Sequence, residues 1–113
     1  MVDELIDNKF FLEPEKALKL IQDFFKKELP FFEMVNIYNK GDYYGFGIEY
    51  KSKNINVMFG GEKGGLDYRI FIDNKQYSLV TCDKRMKEIY SGSEKNYRYA
   101  LNVLKCFLSE IPR

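Results

Sequence analysis

The spacing of apolar side chains changes period twice along this chain. Ala17, Leu18, Ile21, Phe24, Phe25 and Leu29 recur every three or four positions, with Lys16, Lys19, Asp23 and Lys26 on the opposite side. That spacing predicts a helix with one face turned to a core. Glu13 and Pro14 open it, since a proline loses nothing where the first-turn N–H has no partner, and Pro30 closes it. From residue 32 the period falls to two. Residues 32–38 read as a strand, followed by a turn at 39–42. Tyr44, Phe46, Ile48 and Tyr50 alternate next, then Ile55, Val57 and Phe59, then Tyr68, Ile70 and Ile72, with a fifth strand over 77–81. KSKN (51–54), GGEKGG (60–65) and DNK (73–75) supply the turns and loop between them. Residues 83–91 fit a short helix or a loop. Ser93 is a good N-cap for a final helix, in which Tyr97, Ala100, Leu101, Leu104, Phe107, Leu108 and Ile111 form the apolar stripe.

Links this short force neighbouring strands to run antiparallel, because a parallel pair needs a crossover of about a dozen residues. The expected architecture is α+β: an N-terminal helix, an antiparallel meander of about five strands and a C-terminal helix, with both helices on one sheet face. Residues 1–113 read as a single domain, large enough to bury a core without metal or disulfide staples.

One strand invites a functional reading. KGDYYGFGIEY (40–50) puts four aromatic residues and three glycines behind a lysine, much as RNA-recognition strands do. The match breaks at Gly47, where an aliphatic residue is required, so Ile48 and Tyr50 arrive one position late. One residue of slip moves a strand side chain to the other face. Asp42 also puts a negative charge where phosphate would pass. Tyr44, Phe46, Ile48 and Tyr50 therefore read as a core face, and no nucleic-acid partner is expected.

The opposite face of the meander is the stranger one. Carrying the register across places Tyr43, Gly45, Gly47 and Glu49 there, with Asn56 and Met58, then Arg69, Phe71 and Asp73, and Val80 beside them. A solvated sheet face is normally polar. Apolar surface at Tyr43, Met58 and Phe71, rimmed by Glu49, Arg69 and Asp73, has the make-up of a protein interface. Residues 1–12, with Leu5, Ile6, Phe10 and Phe11, are the segment that could fold over and cover it. On the last helix Tyr99, Val103 and Cys106 line the side away from the core stripe.

Composition narrows the chemistry. The chain has 113 residues and a net charge of +1, without histidine or tryptophan. The charge is uneven: residues 1–33 carry eight acids against five bases, and residues 82–113 seven bases against four acids. Both ends read as solvated helix faces. Lack of histidine removes the commonest general base, the Ser–His and Cys–His nucleophile systems and the usual zinc ligand. Cys82 and Cys106 are isolated in sequence and expected to be free thiols, too few for a structural zinc site. GGEKGG lacks the strand-to-helix context and the Lys-Ser/Thr ending of a phosphate loop. No enzyme activity, cofactor or metal is expected. The acidic amino terminus and the lack of a long apolar run lead to the expectation of a cytoplasmic protein without a membrane partner.

In outline, the helix, meander and helix, with the DYYGFGIEY strand and the YRYALNVLKCFL helix, resembles the immunity proteins of bacterial polymorphic-toxin and contact-dependent growth inhibition systems. The resemblance implies a cytoplasmic inhibitor, monomeric or weakly dimeric, that binds a cognate toxin domain. Binding would then rest on Tyr43, Met58 and Phe71, with Glu49, Arg69 and Asp73 giving specificity and the turn acids Asp42, Glu62 and Asp67 steering a basic partner. The alternative is a dimeric chaperone or adaptor, such as a secretion chaperone, that self-associates through the same face or a sheet edge. A small-ligand pocket between helices and sheet is a third possibility.

Overall fold

The structure, a computed structural model, describes residues 6–38 and 42–111. Helix α1 spans Pro14–Glu28, and the chain then forms strands β1 (Glu33–Tyr38), β2 (Phe46–Ser52), β3 (Ile55–Glu62), β4 (Gly65–Ile72) and β5 (Lys75–Tyr77). Two short 3-10 segments, Leu79–Thr81 and Lys84–Glu88, lead into helix α2, Glu94–Ser109. The strands lie side by side in chain order, every neighbour antiparallel. This is the expected α+β meander flanked by helices. Residues 39–41, most of the expected first turn, and residues 1–5 lie outside the described residues.

The expected stripes make the core. Ala17, Leu18, Ile21 and Phe25 from α1 meet Phe46, Ile48, Tyr50, Ile55, Val57, Phe59 and Ile70 from the sheet, while α2 contributes Tyr97, Ala100, Leu101, Leu104 and Leu108. The Phe25 ring stacks on Tyr50 at 3.8 Å and 3°, fixing α1 over β2. Tyr97 reaches the sheet from α2 and donates its hydroxyl to the Gly60 carbonyl at 2.7 Å. A fully buried phenol needs such a partner, because an unpaired hydroxyl in the core costs a few kcal/mol, ~1–3.

Two local readings are corrected, and the open one at 83–91 is decided. GGEKGG is not a six-residue loop: Gly60, Gly61 and Glu62 belong to β3 and Gly65 to β4, leaving a two-residue turn at Lys63 and Gly64. Both turn residues have positive φ, 51° and 81°, the backbone twist that closes a tight hairpin. Gly60 is a strand residue because nothing larger fits: an added methyl would meet Gly47 Cα at 2.7 Å and overlap the Phe46 carbonyl. The expected fifth strand over 77–81 is instead Lys75–Tyr77 followed by a 3-10 turn. Ser78 accepts the Val80 N–H through Oγ at 3.2 Å, and Thr81 Oγ1 donates to the Ser78 carbonyl at 2.8 Å. These local bonds offer the backbone an alternative to the ladder, and the turn drops Leu79 into the core. Residues 83–91 hold the 3-10 turn Lys84–Glu88, capped by Asp83 Oδ1 accepting from the Arg85 N–H at 2.9 Å.

Residues 6–12 run along the segment before α2, and Asn96 organises them. Its Oδ1 accepts from the Asp7 N–H at 2.9 Å. Its Nδ2 lies 2.8 Å from the Asp7 carbonyl, 2.9 Å from Asn8 Oδ1 and 2.8 Å from the Ser91 carbonyl. Ser93 caps α2 as expected, accepting from the Asn96 N–H at 3.1 Å, and its hydroxyl also donates to the Asp7 carbonyl at 2.6 Å. The Leu12 N–H to Gly92 O bond and the Gly92 N–H to Gly64 O bond, each 2.8 Å, tie this segment to the β3–β4 hairpin.

Candidate functional site

The face of the sheet away from the core stripes can be read row by row. Asn36, Glu49, Met58 and Arg69 pair across β1 to β4, and Glu33, Lys51, Asn56, Phe71 and Gln76 form the next row. The row toward the β3–β4 hairpin holds Tyr38, Gly47, Gly60 and Asp67. Glu49, Met58, Arg69 and Phe71 are thus brought together as expected, and with Tyr38 and Asn56 they line a shallow groove of about 180 Å3. The amide oxygen Asn56 Oδ1 is buried in this groove without a hydrogen-bond partner among the described residues. Residues 6–12 do not cross this face; they are held at the hairpin end.

The face is less apolar than the sequence pattern implied. Tyr38, which that pattern did not single out, lays its ring over the glycine notch: a methyl on Gly47 would meet Tyr38 Cζ at 2.5 Å. Gly47 is buried for that reason. Burial pushes the Tyr38 phenol above its ordinary range, with Asp67 adding to the shift and Arg69 opposing it. Met58, Phe71 and Tyr38 are each only partly exposed, and charged or amide groups separate them.

Tyr43 and Val80 are not on this face, and Asp73 is only at its margin. β2 begins at Phe46, two residues later than the alternation implied, so Tyr43 and Tyr44 precede the strand. Tyr44, expected in the core, is exposed, and the strand's buried aromatics are Phe46 and Tyr50. Val80 sits in the 3-10 turn, packed against the core. Asp73 lies in the β4–β5 turn at φ 52°, its Oδ1 accepting from Asn54 Nδ2 at 2.8 Å.

The larger apolar surface lies at the hairpin end. Phe10 (69%), Tyr44 (69%), Tyr90 (68%), Phe11 (50%) and Tyr43 (41%) are the most open aromatics there. Phe11 and Tyr43 have ring centroids 5.5 Å apart, and Tyr43 meets Tyr44 edge-on at 5.4 Å. Phe11 also lies against Gly64, where an added methyl would meet its Cδ1 at 3.2 Å. The Tyr43 carbonyl accepts from the Lys63 N–H at 3.0 Å, and the Tyr90 carbonyl accepts from the Leu66 N–H at 2.9 Å. Ser91 Oγ donates to the Phe10 carbonyl. Three separate stretches, 10–11, 43–44 and 90, are thereby fastened around one hairpin tip. Asp42, whose Oδ1 accepts from the Tyr44 N–H at 2.9 Å, and Glu62, the last residue of β3, belong to this end, whereas Asp67 is on the outer face beside Tyr38. The sequence did hold a signal: Phe10, Phe11 and Tyr90 are bulky aromatics outside any periodic stripe.

Among the described residues no three potential metal ligands converge, and no helix is long and apolar enough to cross a membrane. Burial drives the Tyr97 phenol far up, and burial alone pushes Tyr50 up to about 12. Compared with known proteins, the chain matches no family model, no curated protein and no solved structure.

Proposed function

We propose that this chain is a non-catalytic, protein-binding inhibitor of the immunity type, which captures and neutralises a cognate bacterial toxin. The observation that carries the reading is the cluster of open aromatics at the hairpin tip. A packed aromatic side chain buries ~150–250 Å2, so five that are 41% to 69% open offer on the order of 500 Å2 of apolar contact. A standard interface needs about 800 Å2 per partner, which the Asp42, Glu62 and Lys63 rim would complete. Tyrosine anchors within a polar rim are the usual make-up of a binding hot spot. The contacts that fasten these aromatics around the hairpin support the same reading, since pre-ordered anchors lose little entropy on binding. The outer face, with Glu49, Met58, Arg69, Phe71 and Asp73 at its margin, is the secondary surface in this reading.

The test uses the product of the reading frame directly upstream of this chain's gene. Its expression in bacteria should stop growth, and co-expression of this chain should restore it. Phe11→Ala, Tyr44→Ala and Tyr90→Ala should each weaken capture by at least tenfold while leaving the melting temperature nearly unchanged. Rescue that is indifferent to all three would remove the hairpin end from the reading, and an upstream product without toxicity would remove the inhibitor itself. Self-association, the second reading, is favoured by edge strand β1, where Met34 and Val35 stand half-exposed beside Phe31. Sedimentation at low micromolar concentration separates the two, because a stable dimer supports the adaptor class.

A further inference from the structure

Cys82 and Cys106 stand 24 positions apart in the sequence, yet both open into one cleft of about 560 Å3 between α2 and the turn Leu79–Thr81. α2 builds one wall with Tyr99, Val103 and Cys106, which follow the four- and three-residue steps of a single helix face. Cys82 and Asp83, just past the 3-10 turn, form the other wall. What the sequence pattern reads as stray surface groups on α2 is therefore the lining of a cavity. Both thiols are free and exposed.

We propose that Cys82 and Cys106 form a redox-modification site, oxidised by peroxide to an intramolecular disulfide that clamps the 3-10 turn onto α2. One thiolate attacks the peroxide O–O bond, gives a sulfenic acid and releases one water. The second sulfur then attacks the sulfenic sulfur, the S–S bond forms and a second water leaves. In sum two S–H bonds and one O–O bond break, two electrons pass from sulfur to oxygen, and a dithiol reductant reverses the change.

Three features favour this pairing. Both thiols line the one cleft, Cys106 from α2 and Cys82 from the segment just past the 3-10 turn; partial desolvation raises the Cys82 thiol, and Glu110, Cys106 and Asp83 add to the shift. The segment is already moored to α2, since Tyr99 donates its hydroxyl to Asp83 Oδ2 and the Arg85 guanidinium sits 5.8 Å over the Tyr99 ring. Cys82 itself follows a one-turn segment held by Ser78, and so needs little of the fold to move. Metal capture is the weaker use of the two thiols, because no third ligand joins them among the described residues. Cys106 lies ten residues beyond Asn96 on α2, about 15 Å along the axis. The disulfide therefore forms away from the aromatic end.

The test is oxidation of the reduced, full-length chain with hydrogen peroxide, followed by denaturing alkylation and intact-mass measurement. The expected product is a monomer that has lost two hydrogens, takes up no alkylating agent and yields a cross-linked peptide containing both cysteines. Its formation should be first order, independent of protein concentration, and faster at higher pH as the raised Cys82 thiol ionises. Cys82→Ser and Cys106→Ser should each give sulfenic or sulfinic adducts or intermolecular dimers instead. Wild-type protein that keeps two alkylatable thiols, or oxidises only between chains, overturns the proposal.

Discussion

Replacing Asn96 with alanine removes a buried amide that holds three stretches of chain together. The side chain is fully buried and accepts one bond from the Asp7 N–H, while three acceptors surround its Nδ2. An amide has two N–H groups, so at most two of those three are served at full strength at once. The count is then three bonds. At ~1 kcal/mol net each, their loss costs about 3 kcal/mol. Alanine is the better helix former, which returns roughly 0.6 kcal/mol, so the net cost should be about 2.5 kcal/mol. That is a large share of a typical folding free energy of ~5–15 kcal/mol. With a urea slope of ~1.5 kcal/mol/M, the midpoint should fall by roughly 1.5–2 M. Amide exchange should quicken first at Leu12 and Gly92, whose bonds bind the N-terminal segment and the hairpin together. A midpoint shift under about 0.5 M, or unchanged protection at those two amides, refutes the reasoning. The same variant should also weaken partner capture, because Phe10 and Phe11 lose their mooring.

Three further outcomes are expected. Gly60→Ala forces a methyl against the β2 backbone and should cost about 3 kcal/mol or more. Gly45→Ala meets nothing within 4 Å and should be neutral to slightly stabilising, by up to ~1 kcal/mol; paired urea melts compare the two. Burial raises the phenols of Tyr97 and Tyr50, so the native state holds those protons more tightly than the unfolded chain does. Their contribution is fully present below about pH 10, the unfolded value, and is lost as pH rises beyond it. Melts between roughly pH 8 and 11.5 should show that decline. Tyr97→Phe should lose ~1 kcal/mol at neutral pH with its bond to Gly60, and its alkaline decline should be shallower. A slope equal to that of the parent would exclude Tyr97 as a source. On the outer face, Phe71→Asp should leave capture intact if the hairpin end is the primary surface, and a tenfold loss by titration calorimetry would restore the outer face to that role.

What the sequence determined by itself was the set of elements and the identity of the core. The helical stripes of α1 and α2, the alternation at Phe46, Ile48, Tyr50, Val57, Phe59 and Ile70, the Ser93 cap and the antiparallel order all follow from local spacing. Side-chain period is a property of the backbone conformation, so it can be read without knowing what the chain packs against. Tertiary structure decided where the elements stop and which surfaces remain open. β2 starts at Phe46 rather than Tyr44, Gly60 and Gly61 join a strand because of a neighbour's backbone, and Ser78 ends β5 early. Tyr38 fills the notch over Gly47, so the outer face is less bare than its composition implied. Phe10, Phe11, Tyr43, Tyr44 and Tyr90 become one surface only because Asn96, Gly92 and the Lys63–Gly64 turn draw three distant stretches together. Such contacts join residues separated by dozens of positions, and no local pattern encodes them.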